Sequence, residues 1–205
     1  MRTEKKQGLK LGVTGGIGSG KTSVCRVFTI LGIPVFSTDH EARKIMNNDK
    51  GIIQGINSIA GKDLYHTGDL DRKELASLIF NNNALLEKVN SLVHPIVFDH
   101  FSRWKKEQTA PYVILEAAIL FESGASNLVD KIVTIVAPIE ERLNRVIQRN
   151  TLSRDQVLER MRNQMNDESR IKLSDYVIYN SENDMIIPAV LKIHEDILKY
   201  LNTLN

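Results

Sequence analysis

Gly15-Gly16-Ile17-Gly18-Ser19-Gly20-Lys21-Thr22 fills the pattern G-x-x-x-x-G-K-[ST] at every position. The spacing serves phosphate chemistry. Glycines let the backbone wrap closely around phosphate oxygens with its N–H groups turned inward. A helix starting near Lys21 adds the positive end of its dipole. Lys21 can reach the β- and γ-phosphates of ATP, and the Thr22 hydroxyl can hold Mg²⁺. Gly16, Ile17, Gly18, Ser19, Gly20, Lys21 and Thr22 are therefore the expected nucleotide-binding residues. The competing explanation is a chance match in a glycine-rich turn. The apolar run before the motif and the helical pattern after it favour a phosphate loop. Such a loop alone does not choose among kinases, GTPases and mechanical ATPases. Neither D-x-x-G nor N-K-x-D occurs as a GTPase would require, and 205 residues are few for a large mechanical ATPase. A small-molecule kinase is the expected class.

Two acids are placed to assist. Asp39 closes Val35-Phe36-Ser37-Thr38-Asp39, where a carboxylate would face the loop across a crevice and accept a proton from an attacking hydroxyl. The same position suits a helix N-cap for a segment beginning at His40. Glu116 follows Tyr112-Val113-Ile114-Leu115 and resembles the acid after a Walker-B strand, a candidate for Mg²⁺ through water. A salt bridge or a cap is its alternative. Glu122 is a weaker metal candidate.

Seven of the twelve arginines lie between positions 142 and 170. Arg142, Arg145 and Arg149 share one helix face, and the guanidinium fork binds two phosphate oxygens at once. A helical lid would carry one or two of them to the transferring phosphoryl group and exclude water. A solvated face paired with Glu140, Glu141 and Glu159 is the alternative. His94 precedes Pro95, which is expected to stop a helix there.

The elements that must hold these residues alternate in type. Strands are expected at Leu9–Val13, Ile33–Ser37, Tyr112–Leu115, Ile132–Val136 and Tyr176–Tyr179. A helix runs from Lys21 to a stop at Gly32. Thr38 to about Pro95 reads as mostly helical, with a start at Asp71 and Glu74. Helices also fit Glu140–Arg149, Ser153–Met165 (with a Ser153/Gln156 capping box) and Ile186–Leu204. The fold class is α/β, a five-stranded mainly parallel sheet flanked by helices. Its site is expected beyond the carboxyl ends of the strands, where the glycine loop, Asp39 and Glu116 all fall.

Composition is ordinary for a globular chain: 42% hydrophobic, 25% charged, net charge +2. That balance argues against a nucleic-acid coat protein. No run approaches a membrane helix. One cysteine, Cys25, excludes an internal disulfide framework and a cysteine zinc cluster. A reduced, cytoplasmic protein is expected, either a monomer or a weak homo-oligomer, with neither nucleic acid nor membrane as partner. Met1 to Lys10 reads as a short leader before the first strand.

From Leu9 to Asn180 the sequence resembles the dephospho-CoA kinase family. The resemblance rests on Leu11 to Thr22, Val35 to Arg43, Leu70-Asp71-Arg72 with Leu75 and Phe80, Val93-His94-Pro95, and Leu120-Phe121-Glu122. It continues through Arg142-Leu143, Arg149, Arg160 with Gln164, and Asp175-Tyr176-Val177-Ile178 with Asn180. One departure is Glu116-Ala117-Ala118, where the family often has Asp-x-Pro. The resemblance implies a P-loop NTPase core (9–39, 96–139 and 173–205), a helical CoA-substrate-binding insert (40–95) and a helical lid (140–172). It implies transfer of the ATP γ-phosphoryl group to the ribose 3′-hydroxyl of dephospho-CoA. Asp39 would be the base, and Lys21 and Arg149 would act on the phosphates beside Arg142. Thr14, Asp39, Arg72 and His94 would serve the acceptor, Asn180 would lie near adenine, and Thr22 and Glu116 would serve Mg²⁺.

Overall fold

Five short, largely apolar runs form the sheet: β1 (Leu9–Gly15), β2 (Val35–Ser37), β3 (Tyr112–Glu116), β4 (Lys131–Val136) and β5 (Tyr176–Tyr179). In this computed structural model, which describes residues 8–79, 82–149 and 153–204, they pair in the order β2-β3-β1-β4-β5. Every pairing is parallel. Burial on both faces explains why β1, β3 and β4 read as continuous apolar runs instead of alternating ones. The expected leader falls on residues 1–7, outside the described residues.

Helices fill the connections: α1 (Lys21–Ile30), α2 (Thr38–Asn48), α3 (Lys50–Ala60), α4 (Arg72–Ile79) and α5 (Asn83–Glu107) before β3. Then come α6 (Ile139–Arg149), α7 (Arg154–Arg162), α8 (Asp167–Lys172) and α9 (Ile186–Thr203). The capping box at Ser153 and Gln156 is present, and the Glu74 amide donates to Asp71 Oδ1 at 2.9 Å.

Two compact units result. The first holds residues up to Ser37 together with Lys105 onward, and the second is Thr38–Trp104. In the first, Leu11, Val13, Tyr112, Ile114, Val133 and Ile135 pack against Val24 and Phe28 of α1 and Val190 and Ile197 of α9. That core fixes β1 against the start of α1, and so fixes the loop between them.

Two expectations are corrected here. Pro95 does not stop a helix, because α5 continues through it to Glu107. Val89, Val93, Val97 and Phe101 recur every four residues and are all buried. Burying four such side chains at about 1.5–3 kcal/mol each outweighs the roughly 3 kcal/mol cost of an interior proline. The second correction concerns α2, which begins at Thr38, so Asp39 lies inside the first turn and is not its N-cap.

Candidate active site

The register brings the carboxyl ends of the strands to one edge. Val13 and Ser37 both stand opposite Glu116, Thr14 opposite Thr134, Gly15 opposite Ile135, and Val136 opposite Tyr179. The phosphate loop leaves β1 at that edge. Lys21 Nζ folds back over it and donates to the carbonyls of Gly15 (2.9 Å) and Gly16 (3.4 Å). The loop is thus already curled with its ammonium at the mouth, while Thr22 lies exposed in the first turn of α1.

Gly15, Gly16, Gly18 and Gly20 are all required by close approach, the first and third against the Ile135 and Arg142 carbonyls. Gly16 lies against the guanidinium of Arg142, which a Cβ would strike. Gly20 has φ +97° and lies against the Asn180 amide, so a side chain meets both backbone strain and a collision. Gly20→Ala is expected to cost about 1–2 kcal/mol from the left-handed backbone alone. That is about 2–8 °C in Tm for a chain of this size. Calorimetry should show this drop together with weaker ATP binding; an unchanged Tm would contradict the geometry.

Asn180 is tied in three ways. Its Nδ2 donates to the Ser19 carbonyl at 2.7 Å and its amide donates to Val136 O at 2.8 Å. Its carbonyl accepts from Arg145 at 2.9 Å. Beside it a cavity of about 450 Å³ opens between Val136, Ala137, Pro138, Ile139, Tyr179, Ser181 and Asp184. Its walls are mainly apolar with a polar rim, as a ligand site requires.

Arg142 and Arg149 part company. Arg142 is buried, its Nε donating to Ile17 O at 3.0 Å and its Nη1 to Asp167 at 2.9 Å. Burial pushes its guanidinium below the ordinary value, and Asp167 opposes this. Arg149 is exposed at the end of α6, immediately before residues outside the described set. Glu122 has protein partners. Its carboxylate accepts from the Met165 amide at 2.7 Å and lies 3.6 Å from Arg170. Glu116 ends β3, half-buried, and its charge helps raise the pKa of the buried Cys25 thiol, after burial itself. Thr14 is fully buried, and its Oγ1 has no hydrogen-bond partner among the described residues.

The second unit carries the other predicted residues. Asp39 is exposed in the first turn of α2. Arg72 opens α4 and donates to Arg43 O at 3.4 Å. His94 lies within α5, stacked on Phe98 at 5.9 Å, and burial lowers its pKa.

A curled phosphate loop on an all-parallel sheet, with a cavity beside it, is kinase architecture but does not name a substrate. The comparisons do. A sequence model described as dephospho-CoA kinase matches residues 9–185. This chain belongs to the dephospho-CoA kinase family. The family's reaction, phosphorylation of dephospho-CoA in coenzyme A biosynthesis, is accordingly its own. Among its relatives, the dephospho-CoA kinase of Bacteroides fragilis is 35% identical over 186 residues, spanning 90% of this chain and 91% of the relative. A Thermus thermophilus crystal structure superposes with TM-score 0.83 at 32% identity, covering 93% of this chain and 98% of that one. The dephospho-CoA kinase structure from Campylobacter jejuni gives 0.65 at 27%, covering 93% and 97%.

Sequence reasoning missed Gln164 as a partner of the loop, and Asp167 and Arg170 as the residues behind Arg142. Gln164 was visible only within the family resemblance, and Arg170 only in the concentration of arginine, which reads equally well as a solvated face.

Proposed function

We propose that the ribose 3′-hydroxyl of dephospho-CoA is the acceptor and that Asp39 is its general base. In this reading the Asp39 carboxylate takes the hydroxyl proton as the oxygen attacks the γ-phosphorus. The bond from that phosphorus to the bridging oxygen of ADP breaks, giving CoA and ADP. The observation that carries the reading is the phosphate loop, closed under Lys21 at the carboxyl edge of the sheet. Backbone N–H groups of Gly18 to Thr22 and the dipole of α1 would hold the phosphates. Adenine would occupy the cavity beside Asn180, between Pro138, Ile139 and Tyr179. Arg149 would meet the phosphates from α6, with segment 140–172 as a lid. Thr14, Arg72 and His94 would serve the acceptor, with segment 40–95 as its insert.

Mg²⁺ suits the donors present. The Thr22 hydroxyl and Glu116 carboxylate are hard oxygen ligands, and among the described residues no group of three or more His, Cys, Asp or Glu could hold a metal ion. The ion would then share its shell with water and phosphate oxygens, as Mg²⁺ commonly does. When bound it would neutralise charge on the phosphates. No helix among the described residues is long and apolar enough to cross a membrane.

The decisive experiment measures ADP release with Mg²⁺ and ATP, comparing dephospho-CoA with nucleoside monophosphates, shikimate and pantothenate. Turnover is expected with dephospho-CoA alone, and the product should carry the new phosphate on the 3′-oxygen. Phosphorylation at another position would refute the acceptor assignment. Turnover with a different acceptor would keep the kinase chemistry and refute the reading of residues 40–95.

A further inference from the structure

Ile17 is held at both of its backbone polar atoms by side chains from the segment after α6 begins. Its N–H donates to Gln164 Oε1 at 2.8 Å, and its carbonyl accepts from Arg142 Nε at 3.0 Å. The two holders belong to one closed circuit. Arg142 donates to Asp167 Oδ2 at 2.9 Å, and Arg170 donates to the other oxygen, Asp167 Oδ1, at 3.0 Å. Arg170 Nη2 lies 3.6 Å from Glu122 Oε1, and that same oxygen accepts from the amide of Met165, the neighbour of Gln164. The side chains of Arg142 and Arg170 are only 6% and 1% exposed. Two cations and two carboxylates balance, and little solvent screens them.

The circuit matters because of where it closes. Ile17 immediately precedes Gly18, where the backbone turns to φ +78°. Gln164 fixes the plane of the peptide before Ile17 through its N–H, and Arg142 fixes the plane of the peptide after it through its carbonyl; together they set the direction in which the following N–H groups point. The Ile17 N–H itself donates to Gln164.

We propose that Gln164 is a positioning residue for the phosphate loop: together with Arg142 it clamps the two peptides that flank Ile17, and so sets the loop shape that receives phosphate. The proposal rests on the reading of this loop as the nucleotide site. It does not rest on the acceptor.

Calorimetric titration of Gln164→Leu and Gln164→Glu with ADP and with adenosine tests it. Leucine keeps the volume and loses the acceptor; glutamate keeps an acceptor oxygen. Gln164→Leu is expected to weaken ADP about tenfold, the scale of one lost hydrogen bond to a part-buried donor. Adenosine, which lacks phosphates, should bind as it does to the wild type. Gln164→Glu should stay within about threefold for ADP. Unchanged ADP affinity in the leucine variant would overturn the proposal. So would equal losses in both variants, or a loss for adenosine as large as that for ADP, since general loosening would do that. Neither titration involves dephospho-CoA, so a failed acceptor assay and a failed clamp are distinguishable.

Discussion

Lys21→Ala is expected to lower kcat by about 10²–10³-fold, the scale of removing one preorganised charge from the developing transition state. The argument starts from position. Lys21 opens α1, so its main-chain N–H already belongs to the positive end of the helix. Its ammonium is held over the loop by two carbonyls, Gly15 and Gly16, at 2.9 and 3.4 Å. An ammonium so placed needs little reorganisation when γ-phosphoryl charge moves toward the bridging oxygen. Its removal therefore weakens the transition state more than the ground state. KM for ATP should rise less than kcat falls, and steady-state ADP release at saturating ATP separates the two. Lys21→Arg should not restore the rate, because a planar fork does not replace a compact point charge. Circular dichroism and Tm should remain near wild type, since Lys21 is no part of the apolar core. An unchanged ADP rate would remove Lys21 from the chemistry.

The loop was legible because its function is written in consecutive residues. Eight positions specify the turn, the phosphate contacts and the helix start, with no need of a distant partner. The strands were legible for a similar reason: each is a short apolar run bounded by punctuation, Pro111 before β3 and Pro138 after β4. Pro95 misled because the rule for proline is local whereas the stability of α5 is not. The buried stripe from Val89 to Phe101 belongs to a helix of 25 residues, and the proline sits on its exposed side. Arg142 and Arg170 are the opposite case. Their concentration in one segment was visible, but an arginine face looks the same in sequence whether it meets solvent, phosphate or protein. Their protein partners, Asp167 for Arg142 and Glu122 for Arg170, lie far away in sequence and reach them only once the fold is assembled.

Asp39→Asn is expected to reduce kcat by about 10²–10⁴-fold, the usual contribution of a positioned general base, with little change in KM for either substrate. Folding should tolerate the change. The side chain is exposed in the first turn of α2, and asparagine has the same shape. The loss there is the attraction of one negative charge to the positive end of the helix, about 0.3–1 kcal/mol. A Tm drop of about 1–4 °C is therefore expected, which is far too small to account for the fall in rate. The proposed base stands two residues past Ser37, the end of β2, in the first turn of α2. Asp39→Glu separates charge from geometry. It keeps the charge but moves the oxygens by one methylene, so its rate should fall between those of aspartate and asparagine if a base within hydrogen-bond reach of the hydroxyl is what matters. Single-turnover measurements with ATP and dephospho-CoA prebound would place the loss in the chemical step. Full activity in Asp39→Asn would eliminate the base assignment and leave the carboxylate as a helix-dipole partner of α2 alone.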